Sequence, residues 1–334
     1  MTEGVLDVVR AKERELEQAR FRIGEYEFRG PDYRQILRWA KALGWSPEGV
    51  VETLSGTQVE TALGDPIEFS VTDGCILSLV GDFEELPLDA VSWEDGLRIH
   101  TLAYQSSPPS RRLPGTFPSS LHKLCCESID LEELGLSGVP ELTELCCQEN
   151  QIAELDLWNV PELTYLDCSF NSVAELDLSG VPQLTYLDCG HNSVAELDLS
   201  GVPELTYLDC RGNSVAELDL SGVPELTYLG CDSNKLTELN LSAVSGLTKL
   251  RCEFNRLTEL DLSGVPGLKV LNCEFNRLTR LDLSGVPGLK HLHFGANELT
   301  ELDIRPLTHL QYLSVDAHVQ IIGTPPEGCS VYRR

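Results

Sequence analysis

Basic residues are scarce in this chain: 25 Lys and Arg stand against 53 Asp and Glu, a formal net charge of -28. Nucleic acid and anionic lipid both repel such a polyanion, so neither is expected as a partner. The charge favours solubility and a protein partner with a basic surface. Long apolar runs are missing as well. No stretch reaches the roughly 18 apolar residues of a membrane-crossing helix, and Met1 to Arg10 has no apolar core of the secretory-signal kind. Catalytic motifs are absent too. The chain has no Gly-rich phosphate loop, no H-E-x-x-H, no G-x-S-x-G and no cysteine pairs at zinc spacing. Together these absences argue against an enzyme and give no ground to expect a cofactor or a resident metal.

What is present is repetition. From Leu121 the sequence repeats with a period of 21, in units that begin at Leu121, Leu142, Leu163, Leu184, Leu205, Leu226, Leu247, Leu268 and Leu289, with a partial unit from Leu310. The pattern is L-x-x-L-x-C-x-x-N-x-Φ-x-x-L-D-L-x-x-V-P-x, with Φ apolar. One such unit cannot close a core by itself, so each apolar position must stack on its equivalent in the next coil. In the unit from Leu163 the inward set is Leu166, Cys168, Val173, Leu176, Leu178 and Val181. Asn171 and its equivalents sit where the chain leaves the first strand. A buried amide both donates and accepts, so this column is expected to join neighbouring coils as a ladder. Pro182 and its equivalents stiffen the return segment.

The chain has twelve cysteines. Eight of them, from Cys126 to Cys273, occupy one core column, which Phe294 and Val315 continue. Phe and Val could not continue a metal site or a disulfide set, so these cysteines read as small hydrophobes. Eight buried free thiols imply a reducing compartment and hence a cytoplasmic location. Cys125 and Cys146 fall one position earlier, on the outward face, where they could be reactive. Cys75 and Cys329 lie outside the regular array.

The nine units resemble the bacterial 21-residue class of leucine-rich repeats, with consensus LxxLxCxxNxLxxLDLxxNxx. The match covers residues 121 to about 309 and departs from the consensus near the end of each unit, where Gly180, Val181 and Pro182 replace the second Asn. The resemblance implies an α/β repeat: a right-handed leucine-rich-repeat solenoid with a parallel concave β-sheet. It also implies protein or ligand binding without a shared catalytic activity.

Upstream the pattern loosens. Leu79, Leu102 and Leu124 are 23 and 22 residues apart and suggest two irregular coils within residues 65–120, the second with a protruding loop from Ser106 to Pro114. Ile67 to Val71, Thr72-Asp73-Gly74 and Cys75 to Val80 read as a hairpin that caps the solenoid. Residues 1–64 read as a helical cap or docking module. Glu3 to Phe28 is rich in Glu, Arg and Ala. Pro31 starts a helix through Leu43, and Ser46-Pro47-Glu48 starts another. Trp39 and Trp45 are expected to pack this piece onto the first coils. The domain plan is therefore 1–64, 65–120, nine repeats over 121–309, and a partial repeat with a C-terminal cap over 310–334.

Strand alternation sends the third and fifth positions of each unit outward on the concave side. There Tyr165, Tyr186, Tyr207 and Tyr228 stack beside Asp167, Asp188 and Asp209. Large rigid phenols beside repelling carboxylates are expected to receive a basic protein partner. Duplication of one unit would produce the same columns without selection for binding. Phe170, Phe254 and Phe275 rim the strip, with Arg211, Glu253 and Glu274 beside them. Further along the face turns basic and imidazole-rich with Lys249, Arg251, His291 and His293, and Arg251, His291 and His293 complete the expected partner-binding set. His291 and His293, with Asp316, could form a metal pair, but surface polarity is the plainer reading. On the outer side a Glu column and an Asp column, among them Asp177, Asp198 and Asp219, read as a solvated face that blocks edge association. Bacterial effectors can join such repeats to a ubiquitin-ligase domain, but only 25 residues follow His309 here. The expectation is a cytoplasmic protein-interaction module. The alternative is a host-directed bacterial effector, exported without a cleaved signal, that binds a host protein.

Overall fold

The computed structural model describes residues 20–23, 26–43, 68–72, 75–81, 99–104, 113 and 117–334. They fall into two compact units, Met1–Pro161 and Glu162–Arg334.

In the first unit, β1 (Arg20–Ile23) and β2 (Tyr26–Arg29) pair antiparallel and lead into helix α1 (Gly30–Leu43). The helical reading of Glu3 to Phe28 therefore fails over its last residues. Phe21, Ile23, Tyr26 and Phe28 recur with period two. Phe21 is the register partner of Phe28 and Ile23 that of Tyr26, and the strand propensity of these aromatic and β-branched residues outweighs the helix propensity of the surrounding Glu and Arg. The helix at Pro31 forms as expected, with Pro31 and Asp32 in its first turn. The expected helix from Ser46, the packing of Trp39 and Trp45, and the Ser106 to Pro114 loop apart from buried Leu113 lie outside the described residues.

Strands β3 (Glu68–Thr72) and β4 (Cys75–Gly81) form the expected hairpin. β4 then pairs parallel with β5 (Thr101–Tyr104), β5 with β6 (Lys123–Cys125) and β6 with β7 (Glu144–Cys146). Leu79 is the register partner of Leu102, and Leu102 that of Leu124.

The second unit is built from parallel strands, one per coil: β8 (Tyr165–Asp167), β9 (Tyr186–Asp188), β10 (Tyr207–Asp209), β11 (Tyr228–Gly230), β12 (Lys249–Arg251), β13 (Val270–Asn272) and β14 (His291–His293). On its outer side β15 (Glu301–Asp303) pairs with β17 (Gln320–Ile322), while β16 (Tyr312–Val315) continues the main ladder and β18 (Ser330–Arg333) pairs with β16. Each strand is in register with the residue 21 positions on: Tyr165 faces Tyr186, and Leu187 faces Leu208.

That register buries each column on itself. Leu166, Cys168, Val173, Leu176, Leu178 and Val181 are all buried, and the same positions of later coils follow. The core cysteines are free thiols. Burial raises the pKa of Cys189, Cys231 and Cys252 well above the ordinary thiol range, so they are unreactive packing groups. The asparagine ladder forms as its chemistry requires. Asn213 Nδ2 donates to the carbonyls of Cys189 and Cys210, both at 3.0 Å, while its Oδ1 accepts from Val194 N at 2.9 Å. Asn192 does the same one coil earlier. Backbone groups that sheet pairing leaves open at the corner are thereby satisfied.

The residue before each Asn is left-handed: Phe170 at φ 53°, His191 at 54°, Ser233 at 55°, Phe254 at 55° and Phe275 at 53°. Such a conformation costs a non-glycine residue about 1 kcal/mol or more, which the asparagine bonds offset. The outer side is an extended segment stitched to the next coil by a backbone bond such as Ser193 N to Val173 O at 2.9 Å. The return from there is two linked turns, closed by Val181 N to Leu178 O and Leu184 N to Val181 O. The Gly-Val-Pro segment thus makes turns where a helix would need more residues.

Candidate functional site

The sheet face of the second unit carries the predicted tyrosines. Each lies at the start of a three-residue strand whose middle leucine is buried, so alternation turns the phenol outward. Tyr165, Tyr186, Tyr207 and Tyr228 form one continuous stack. Successive ring centroids are 4.2 Å apart, with interplanar angles of 11°, 8° and 5°. The Lys249 ammonium extends it, 5.0 Å from the Tyr228 ring centroid, in a cation–π contact. All four residues are half-buried. The pKa of Tyr186 and Tyr228 is raised, first by burial and then by neighbouring phenols and, at Tyr228, Asp209. The hydroxyls are therefore neutral hydrogen-bond groups at physiological pH.

The aspartates do not lie beside them as an open acidic strip. Asp167 is half-buried and accepts from Ser169 N and Oγ at 3.1 and 2.7 Å. Asp188 is 7% exposed and Asp209 1% exposed. Asp188 Oδ1 accepts from Gly190 N at 2.9 Å. Asp209 accepts from Arg211 N at 3.1 Å, pairs with the Arg211 guanidinium at 3.5 Å and receives the Tyr228 hydroxyl at 3.4 Å. Gly230, next in the column, leaves room: a Cβ there would stand 3.0 Å from the Asp209 carboxyl.

The seventh-position residues, expected at the rim, complete an internal charge file. Asp232, Glu253 and Glu274 are buried. Arg251 is drawn down between Asp232 at 3.8 Å and Glu253 at 2.9 Å, so this predicted binding cation is committed to internal pairs. Glu274 receives the Ser314 hydroxyl and the Arg334 guanidinium, each at 2.9 Å. Asp232 Oδ1 and Glu253 Oε2 have no hydrogen-bond partner. Burial, with Asp209 and Asp167 nearby, pushes the Asp188 carboxyl up to about 6. Burial and Glu253 push Asp232 up to about 6 as well.

His291 and His293 lie on one strand face as expected. His293 packs against the Tyr312 ring at 4.8 Å, and burial lowers its pKa. Asp316 does not join them, since it accepts from Ala296 N at 2.7 Å. Among the described residues no group of three or more His, Cys, Asp or Glu is arranged to hold a metal ion. The eighth-position rings make a second aromatic line, at the left-handed corner. Phe170 stacks on His191 at 4.2 Å and Phe254 on Phe275 at 4.3 Å, with the Arg334 guanidinium 5.6 Å from the Phe275 centroid. Gly212 interrupts this line, because a Cβ there would meet the His191 ring at 2.7 Å.

Neither a family model nor a curated protein matches the chain. Solved structures do. The chain is similar to the functional domain of InlJ from Listeria monocytogenes, which includes a cysteine ladder, at 33% identity and a TM-score of 0.50, over 63% of this chain and 54% of that one. It is similar to YopM from Yersinia enterocolitica at 25% identity and a TM-score of 0.52, over 79% and 63% of the two chains. An internalin (inlF) of Listeria monocytogenes shares the fold at 16% identity and a TM-score of 0.64, over 90% of this chain and 95% of that one. The chain thus spans little more than half of the InlJ domain and less than two thirds of YopM.

These likenesses overturn the cytoplasmic location inferred from the free thiols. The internalins and YopM are surface, secreted or host-translocated proteins, and a cysteine ladder occurs in one of them. A buried thiol is shielded by its packing whatever the compartment, so it reports the core and not the cell. What the likenesses show is the fold: this chain is a leucine-rich-repeat-like, right-handed β-solenoid with a parallel concave sheet.

Proposed function

We propose that this protein acts outside the cytoplasm of its cell by binding a host protein on its sheet face, and that its coils belong to the 21-residue leucine-rich-repeat class. The observation that carries the binding reading is the tyrosine stack. Four phenols held rigid by 4.2 Å stacking leave a half-exposed aromatic surface with little conformational entropy left to lose, the property that makes Tyr frequent in binding hot spots. His291, in the tyrosine column, and His293, in the aspartate column, extend the contact surface further along the same sheet face. The net charge of -28 favours a partner with a basic surface, mainly through the encounter rate. Asp188, Asp209 and Arg251 act in this reading from below, by fixing Tyr228 and its neighbours, and do not touch the partner. The likeness to InlJ and YopM supports a host-directed role over a housekeeping one.

The test compares the wild-type chain with the Tyr186→Ala/Tyr207→Ala double variant as baits in host-cell extract and in extract of the producing bacterium. A protein retained from host extract by wild type, and at least tenfold less by the variant at unchanged secondary structure, is expected. Equal retention by both baits would remove the tyrosine face from consideration.

A further inference from the structure

In the first unit two thiols stand side by side on the sheet face. Cys125 ends β6, Cys146 ends β7, and the two are register partners in the parallel ladder. Their side chains therefore leave the same face of strands about 4.8 Å apart. Both are half-buried, whereas the next residues, Cys126 and Cys147, are turned into the core and have no exposure. On its other flank the register partner of Cys125 is Ala103, whose methyl group is small. Two residues before Cys125, Lys123 lies on the same face with its ammonium 2.7 Å from the Glu144 carboxylate. We infer that Cys125 and Cys146 form a reversible redox site, a cross-coil dithiol that small-molecule disulfides convert into an intramolecular disulfide.

The neighbourhood sets the order of events. A hydrogen bond from Cys146 lowers the Cys125 pKa, and the Lys123 charge adds to this; burial, Glu127 and Glu144 work against it. Cys126, one residue along, is pushed up by burial. Cys125 is therefore the attacking thiolate. It attacks one sulfur of an external disulfide RSSR, whose S–S bond breaks. The electron pair leaves on RS⁻, which takes up a proton, and a mixed Cys125–S–S–R forms. Cys146, deprotonated in turn, attacks the Cys125 sulfur and expels the second RS⁻. Two protein thiols lose two electrons and two protons, and RSSR becomes two RSH.

A disulfide favours Cβ atoms about 3.5–4.5 Å apart, while neighbouring strands hold theirs nearer 4.8 Å. Closing the bond pinches the ladder. Strained, accessible disulfides lie at the easily reduced end of the scale, so this one acts as a switch and not as a brace. In the three units from Leu163 the same position is Asp167, Asp188 and Asp209, so the pair is confined to the first unit.

The experiment treats the intact native chain with oxidised glutathione at neutral pH and maps the products by peptide mass spectrometry. One Cys125–Cys146 linkage per chain is expected, reversed by dithiothreitol, with the core cysteines unmodified and the circular dichroism unchanged. Cys329, a solitary half-buried thiol with a raised pKa, serves as the internal control and reacts at least tenfold more slowly. Cys146→Ser should trap Cys125 as its glutathione mixed disulfide. Cys146→Ala should move the pH midpoint of Cys125 alkylation upward. A wild-type chain that stops at the mixed disulfide, or a Cys125 no more reactive than Cys329, overturns the inference.

Discussion

Aspartates stand on both sides of every coil from Leu163 to Leu205, and the two sets live in opposite environments. On the outer side Asp177, Asp198, Asp219, Asp261 and Asp282 each accept the backbone N–H of the residue two positions on, at 2.8–2.9 Å. They are exposed, and those hydrogen bonds hold their carboxyls below the usual carboxylate range. On the sheet side Asp188 and Asp232 are buried among other acids and rise to about 6. One residue type thus does two jobs. Outside, the charged form closes a turn that the chain must make in each coil. Inside, the charge is held against its own hydration, and arginines offset only part of the cost. The outer column, read from sequence as a solvated face, is therefore also a set of turn locks.

Asp209→Ala tests the inner side most severely. It strands Arg211 N–H and the partly covered guanidinium, and should lower unfolding free energy in urea by about 3 kcal/mol. Asp219→Ala on the outer side should cost clearly less in the same assay. Equal losses would erase the distinction between the two columns.

The second effect concerns pH. Asp188 and Asp232 have folded values near 6 against an ordinary 3.8. The folded state therefore binds protons that the unfolded state does not, and stability must rise as pH falls from about 7 toward 4. The gain is fully present below the unfolded value and is lost as pH rises through 6; it amounts to at most about 3 kcal/mol for each group, less where solvent screens the carboxyl. The melting temperature should be higher at pH 5 than at pH 7, and Asp232→Asn should flatten that rise. A wild-type melting temperature that falls steadily from pH 7 to 5 contradicts the buried-file reading.

The smallest expected effect belongs to the outer column. Asn240 already closes the same turn with a neutral side chain, accepting from Ser242 N at 3.0 Å. Asp219→Asn should therefore leave stability at pH 7 almost unchanged. The depressed outer aspartates contribute stability that is present above their unfolded value and lost as pH falls through the folded one. Replacing several of them by Asn should accordingly soften acid unfolding below about pH 4. An Asp219→Asn variant as damaged as Asp219→Ala would mean that the charge, and not the turn, is what matters there.

Much of the site was legible from the sequence. A strict period with parallel coils stacks each column on itself, so four tyrosines at one position become one stack, and the asparagines of the second unit become a ladder. The same logic put Cys125 and Cys146 on the outward face, one residue from the core column. Less legible was the N-terminal region, where Phe21, Ile23, Tyr26 and Phe28 carried a strand signal inside a segment rich in helix formers. The turn role of the outer aspartates was foreshadowed by the Asp-Leu-Ser order in units such as the one from Leu163, since Asp bonds readily to the N–H two residues on.

Periodicity, then, determined who neighbours whom: the core, the amide ladder and the aromatic line follow from the 21-residue repeat. Only the tertiary structure decided how deep each side chain lies. Depth depends on the sizes of the residues on the coils before and after. Gly230 makes room for Asp209, the Tyr228 hydroxyl reaches across to it, and Arg251 is drawn between Asp232 and Glu253. A pattern that counts positions within one coil carries no record of those volumes, and it is they that turn a nominally exposed acidic strip into a buried charge file beneath a tyrosine surface.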